Sequence, residues 1–199
     1  MSSHSRHQAI RTLAASAKAR VGRQVMLLAL AVLAGSGIFR CSAQTGTQHE
    51  YELKAGVLYH IIEYVEWPKG ALSNNPPAIE IGLIGQIPFA DAIEVLNGKT
   101  VQGRELIVKR ISDPQAAARC QVLFVGASEK SRIPEIVAQI NDRPILTVGE
   151  IEGFAEQGGM VNLIAGPNRI VMEINREVAN KARLSMSSQL LKLAKVITR

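Results

Sequence analysis

Ala78-Ile79-Glu80-Ile81-Gly82-Leu83-Ile84-Gly85 carries one charge among branched and small residues and closes on glycine, as a largely buried strand does. The stretch before it, Ser73-Asn74-Asn75-Pro76-Pro77, is a turn-rich, charge-free loop. After it, Phe89 to Leu96 reads as a short helix stopped by Asn97-Gly98. The alternation continues with a strand over Glu105 to Ile111, a short helix from Asp113-Pro114 to Arg119 and a strand over Gln121 to Val125. A helix from about Glu129 to Ile140 follows, with Ser128 as its cap, then a strand over Pro144 to Val148 and a helical turn at Ile151 to Glu156. Strands separated by helices imply parallel pairing, with right-handed crossovers laid on both faces of one sheet.

The two ends depart from that rhythm. Gln48 to Trp67 predicts a helix, because Leu53, Val57, Leu58, Ile61, Ile62 and Val65 recur at three- and four-residue spacing before Pro68 ends it. Met160 to Ile164 and Arg169 to Ile174 flank Ala165-Gly166-Pro167-Asn168 and should pair as an antiparallel hairpin. Two helices, Arg176 to Ala182 and Ser188 to Val196, finish the chain, the second turning Leu190, Leu191, Leu193 and Val196 toward the body. The expected fold is α/β: a single-domain three-layer sandwich whose central sheet is mostly parallel, ends in an antiparallel hairpin and carries helices on both faces.

Ahead of this domain, Val25 to Phe39 holds no charged residue, is entered from Arg20 and Arg23, and is followed by Cys41-Ser42-Ala43. A cationic start, an apolar centre and a small-x-small exit read as a secretory leader over residues 1–43, cleaved after Ala43, with the domain occupying 44–199. A membrane anchor is the alternative, but a span needs about 20 apolar residues and this run breaks at Gly35 and Gly37. No stable anchor is expected after cleavage. A lipoprotein reading meets Arg40 where a small residue should precede Cys41.

Charge separates at the same boundary. Six of the 23 basic residues lie before Gln44, so 17 remain against all 17 acidic ones. A neutral domain without basic runs interleaved with aromatics lacks the footprint of a nucleic-acid binder. Cleavage also removes Cys41 and leaves Cys120 alone in an oxidising compartment. Cys120 reads as a small buried hydrophobe at a strand start, or alternatively as a redox or intermolecular thiol; if Cys41 survives, a Cys41–Cys120 bridge becomes possible.

Catalytic patterns are wanting. Gly126-Ala127-Ser128 is no Gly-x-Ser-x-Gly, and His49 and His60 both precede it. One cysteine and two distant histidines make no zinc ligand set, so no metal and no cofactor are expected. Glu150, Glu152 and Glu156 read as a solvated acidic face rather than an acid-base pair. Gly82 to Pro88 has neither the third glycine of a dinucleotide fingerprint nor a phosphate-loop lysine. Non-catalytic candidates are Tyr59 and Trp67, aromatics suited to core or interface, and Arg169, at the hairpin, for an anionic group.

From Tyr51-Glu52-Leu53-Lys54-Ala55-Gly56-Val57-Leu58-Tyr59 through Val65-Glu66-Trp67-Pro68, the chain resembles the YfiR/HmsC-like family of exported bacterial proteins. Cys120 to Val125, Ile145 to Val148, Gly158 to Leu163, Ile170 to Asn175 and Ser188 to Ala194 fall where that family has its recurring blocks. The resemblance implies an α/β fold, a periplasmic address and homodimerisation. It further implies a regulator that binds the periplasmic part of an inner-membrane diguanylate cyclase and holds it inactive, lowering cyclic-di-GMP and biofilm formation. Some members are redox-controlled through paired cysteines, but this sequence has fewer cysteines than their double-disulfide pattern. The competing expectation is a periplasmic small-ligand binding or sensor protein feeding another membrane partner, with its ligand in the crevice at the carboxyl ends of the strands near Gly85, Gly126 and Gly149.

Overall fold

The computed structural model describes residues 43–72, 78–140, 142–166 and 169–198, with side chains from residue 48 onward. The proposed leader with Cys41, the loop Ser73 to Pro77 and the hairpin tip Pro167-Asn168 lie outside the described residues. Gln48–Arg199 forms the unit described here.

Ten strands and six α-helices are described. They are, in chain order, α1 (Ala43–Glu63), β1 (Val65–Glu66), β2 (Ala78–Ile84), α2 (Ala90–Glu94), β3 (Thr100–Val101) and β4 (Arg104–Ile111). Then come α3 (Pro114–Ala117), β5 (Val122–Val125), a 3-10 turn (Ala127–Arg132), α4 (Ile133–Ile140) and β6 (Leu146–Gly149). The chain closes with β7 (Val161–Ala165), β8 (Ile170–Asn175), α5 (Arg176–Lys181), β9 (Ser185–Met186), α6 (Ser188–Lys192) and β10 (Ala194–Ile197).

Eight strands make one mixed sheet in the order β10-β8-β7-β6-β5-β2-β4-β3. Pairing is parallel except at β7·β8, the expected hairpin, and at β3·β4. The period of two along β5 divides the core: Val122 and Phe124 enter one cluster, Leu123 and Val125 the other. The first cluster is covered by Leu58, Ile61 and Ile62 of α1, Ile93 of α2, Ala179 of α5 and Leu190 of α6. The second is covered by Ala117 of α3 and Ile133, Ile136 and Ile140 of α4. Two apolar layers on opposite faces of one sheet give the three-layer α/β sandwich.

Three expectations are corrected. The first helix stops at Glu63, not Trp67, and Val65–Glu66 pairs antiparallel with Ser185–Met186 as a separate ribbon. Its end is capped from a distance, since the Gln102 side-chain amide donates to the carbonyls of Ile62 (3.3 Å), Glu63 (3.0 Å) and Val65 (2.9 Å). Helix termini leave carbonyls without intrahelical partners, and Gln102 satisfies them from the β3–β4 turn. Secondly, Ser128 caps nothing: the chain enters a 3-10 turn from Gly126, α4 begins only at Ile133, and Ser128 Oγ accepts the backbone N–H of Gln86 at 2.8 Å.

The helical turn expected at Ile151 to Glu156 is present as successive hydrogen-bonded turns, the Phe154 N–H donating to Ile151 O at 2.9 Å. Lastly, the final helix is only Ser188–Lys192, after which Ala194–Ile197 pairs parallel with Met172–Asn175. Of the four residues expected to face the body, Leu190 is buried and Leu191 partly so, whereas Leu193 is 74% and Val196 42% exposed. The outer edge of β8 offers unpaired backbone groups, and satisfying them outweighs extending a helix by one turn.

Candidate functional site

Parallel sheets of this kind keep ligands where the strand order reverses, here between the carboxyl ends of β2 and β5. That crevice is filled by the chain itself. The Gly126 N–H donates to Ile84 O at 2.9 Å, and the Gln86 N–H to Ser128 Oγ. A Cβ at Gly126 would run into the Gln86 carbonyl oxygen, and one at Gly85 would come within 2.6 Å of Ser128 Oγ and Glu129 Cγ. The two glycines are there for close backbone approach, which brings the turn after β2 against the start of the 3-10 turn across these strand ends.

Space opens two gaps along, between β6 and β7. β6 ends at Gly149 opposite Asn162, while β7 runs on to Ala165, and the turns after β6 bend away. The groove so formed, about 610 Å³, is bordered by Lys54, Glu150, Glu152, Glu156 and Glu173. Asn162 holds one wall, its Oδ1 accepting the Ile151 N–H at 3.1 Å.

Lys54 is the organising residue. It is 6% exposed, and its Nζ reaches Glu50 and Glu150 at 2.8 Å each while lying 5.1 Å from the Phe89 ring centroid. Burial alone would lower its pKa, but hydrogen bonds and charge from Glu150 and Glu50 outweigh that and raise it above the ordinary lysine value. On the far wall Glu173 pairs with Lys195 at 2.9 Å. Acid-base chemistry needs carboxylates with separated proton affinities in an apolar cleft; here Glu150 and Glu173 are engaged by ammonium groups, as in a structural ion network.

The sequence-derived candidates are scattered. Tyr59 is half-buried and its hydroxyl donates to Thr100 O at 3.1 Å. Trp67 is half-buried against the first cluster, with its Nε1 buried and without a hydrogen-bond partner among the described residues. Arg169 is exposed beside the hairpin tip, and its guanidinium makes no hydrogen bond or ion pair among the described residues. Cys120 is 4% exposed, its Sγ lying 2.7 Å from where a Gly82 Cβ would stand. Desolvation by burial, reinforced by the Glu80 charge, raises its pKa. The structure brings none of these four together.

Sequence reasoning passed over Lys54, which reads as an ordinary polar residue on an amphipathic helix, and its pairing with Glu150 across 96 positions. It also missed the β10 flank, where Leu193 and Val196 are exposed apolar side chains. A helical reading of Ser188 to Val196 conceals that patch.

The sequence matches the YfiR/HmsC-like family over residues 51–195, almost the whole described unit. The chain belongs to the YfiR/HmsC-like family. Members are periplasmic regulators of cyclic-di-GMP signalling. A solved structure with a similar fold is a conserved domain protein from Vibrio cholerae O1 biovar eltor str. N16961, with a TM-score of 0.54 at 13% identity. The match covers 75% of this chain and 60% of that one, so the chain spans less than two thirds of that protein's length. Among the described residues of this YfiR/HmsC-like chain, no helix is long and apolar enough to cross a membrane.

Proposed function

We propose that this YfiR/HmsC-like protein is exported through an N-terminal leader and represses an inner-membrane diguanylate cyclase by protein-protein contact, lowering cyclic-di-GMP and biofilm formation. The family match over residues 51–195 carries the reading. Two features of the site support binding rather than turnover: the switch-point crevice is filled by the chain itself, and Glu150 and Glu173 are held in ion pairs. The contact surface is the β10 flank, where Leu193 and Val196 stand exposed at 74% and 42%. Exposed apolar side chains at one open sheet edge favour a partner site there. Tyr59 and Trp67, half-buried, contribute to a protein interface only through their exposed edges, and the protein acts as a homodimer.

Deleting the gene and measuring cyclic-di-GMP tests the reading, with complementation by the wild type and by Leu193→Glu/Val196→Lys. Deletion should raise the nucleotide and wild type should restore it. The charged double variant, folded and exported, should not. An unchanged level on deletion while the cyclase is expressed, or full restoration by the double variant, overturns the reading.

A further inference from the structure

We propose that a slot between α4 and α5 binds a small monocarboxylate bearing one compact apolar group, of the size of benzoate or isovalerate. The slot lies at the opposite end of the strands from the glutamate groove and offers about 170 Å³, open to solvent on one side. Its walls are Val137 and Ile140 of α4, Ile145 ahead of β6, Met160 ahead of β7 and Val178 of α5. An apolar cavity of about 150 Å³ accepts a benzene-sized guest. Gly158 helps keep the slot open: its φ is +100°, and a Cβ there would stand 3.1 Å from Val137 Cγ1.

The mouth selects the charge. Arg143 and Lys181 border it against the single carboxylate of Asp142. Both α4 and α5 end here, and cations near helix carboxyl ends commonly serve those carbonyls. In this structure backbone amides already do so: Arg143 N–H donates to Ile140 O at 3.1 Å, Ala182 N–H to Val178 O at 3.1 Å, and Arg183 N–H to Asn180 O at 2.9 Å. The side-chain charges are left over. Lys181 Nζ has no partner among the described residues, and the Arg143 guanidinium makes one long bond, 3.4 Å to Ala118 O. A planar guanidinium beside an ammonium matches a carboxylate, while the walls suit an apolar tail, the one hydroxyl among them, Thr147 Oγ1, already accepting the Met160 N–H at 2.9 Å.

Calorimetric titration of the full chain with benzoate and isovalerate tests this, with benzyl alcohol as the uncharged counterpart. Either acid should bind, and benzyl alcohol should bind about tenfold more weakly or worse. Arg143→Gln/Lys181→Gln, both at exposed positions, should weaken acid binding about tenfold or more. Val137→Phe should abolish it by filling the slot. Circular dichroism establishes that each variant folds; should Val137→Phe not fold, the charge variant and the alcohol comparison still decide. Absence of binding by both acids at millimolar concentration, or equal affinity for benzoate in wild type and the double-glutamine variant, overturns the proposal.

Discussion

Lys54 holds its charge inside the protein because two carboxylates reach it, and two consequences can be measured. Lys54→Met leaves Glu150, 12% exposed, without its counter-ion. Loss of one partner of a buried pair is strongly destabilising, and with Glu50 partly solvated the loss should be about 2 kcal/mol by urea denaturation at pH 7. The pH dependence has a definite sign. The folded-state pKa of Lys54 is raised, so its stabilisation is complete below the ordinary lysine range and fades as pH rises through the raised value. Wild type should therefore lose stability on the alkaline side more steeply than Lys54→Met, as read from unfolding midpoints across that range. Cys120 gives a third outcome: its burial and raised pKa keep the thiolate scarce, so iodoacetamide should alkylate the native protein far more slowly than the urea-unfolded chain, followed by mass spectrometry. Rapid labelling of the native protein would contradict this burial and favour a redox role.

Elements show which parts of the fold are written locally. β2, β5 and the β7–β8 hairpin are legible because their branched runs are bounded by glycine, proline and asparagine, so pattern and tertiary demand agree. α1 is legible over most of its length, but its stop is not: the residue that ends it, Gln102, lies some forty positions downstream in a turn where its own φ is +52°. β10 fails for a related reason. Leu190, Leu191 and Leu193 suit a helix, and only the vacant edge of β8 draws Ala194–Ile197 into the sheet. The cap is testable. Gln102→Ala removes a donor serving three carbonyls while keeping the left-handed turn, and should lower stability by about 1–2 kcal/mol, with early fraying of α1 seen in amide exchange. Retention of full protection at Tyr64 and Val65 would place the stop elsewhere.

At the scale of the molecule, the α/β sandwich follows from the βα rhythm, but the candidate site does not. Charge neutrality and the absence of a nucleophile constellation direct attention away from nucleic acid and catalysis; they carry no information about where a partner sits. The Lys54 network and the slot beneath Val137 are each assembled from segments tens of residues apart, and no local pattern marks them. The packing of Gly126 on Gln86 is a global constraint of the same kind. Gly126→Ala keeps an ordinary φ of −74° yet drives a methyl into a carbonyl, so it should destabilise by about 1–3 kcal/mol, measured by chemical denaturation.

The long first helix is fastened twice, near its middle by the Lys54 ammonium to the turn after β6 and at its end by Gln102 to the hairpin on the far margin of the sheet. A bar pinned at two separated points on a twisted plate resists torsion as a diagonal brace does. Cutting either pin should loosen the tie between helix and sheet at that point without unseating the bar.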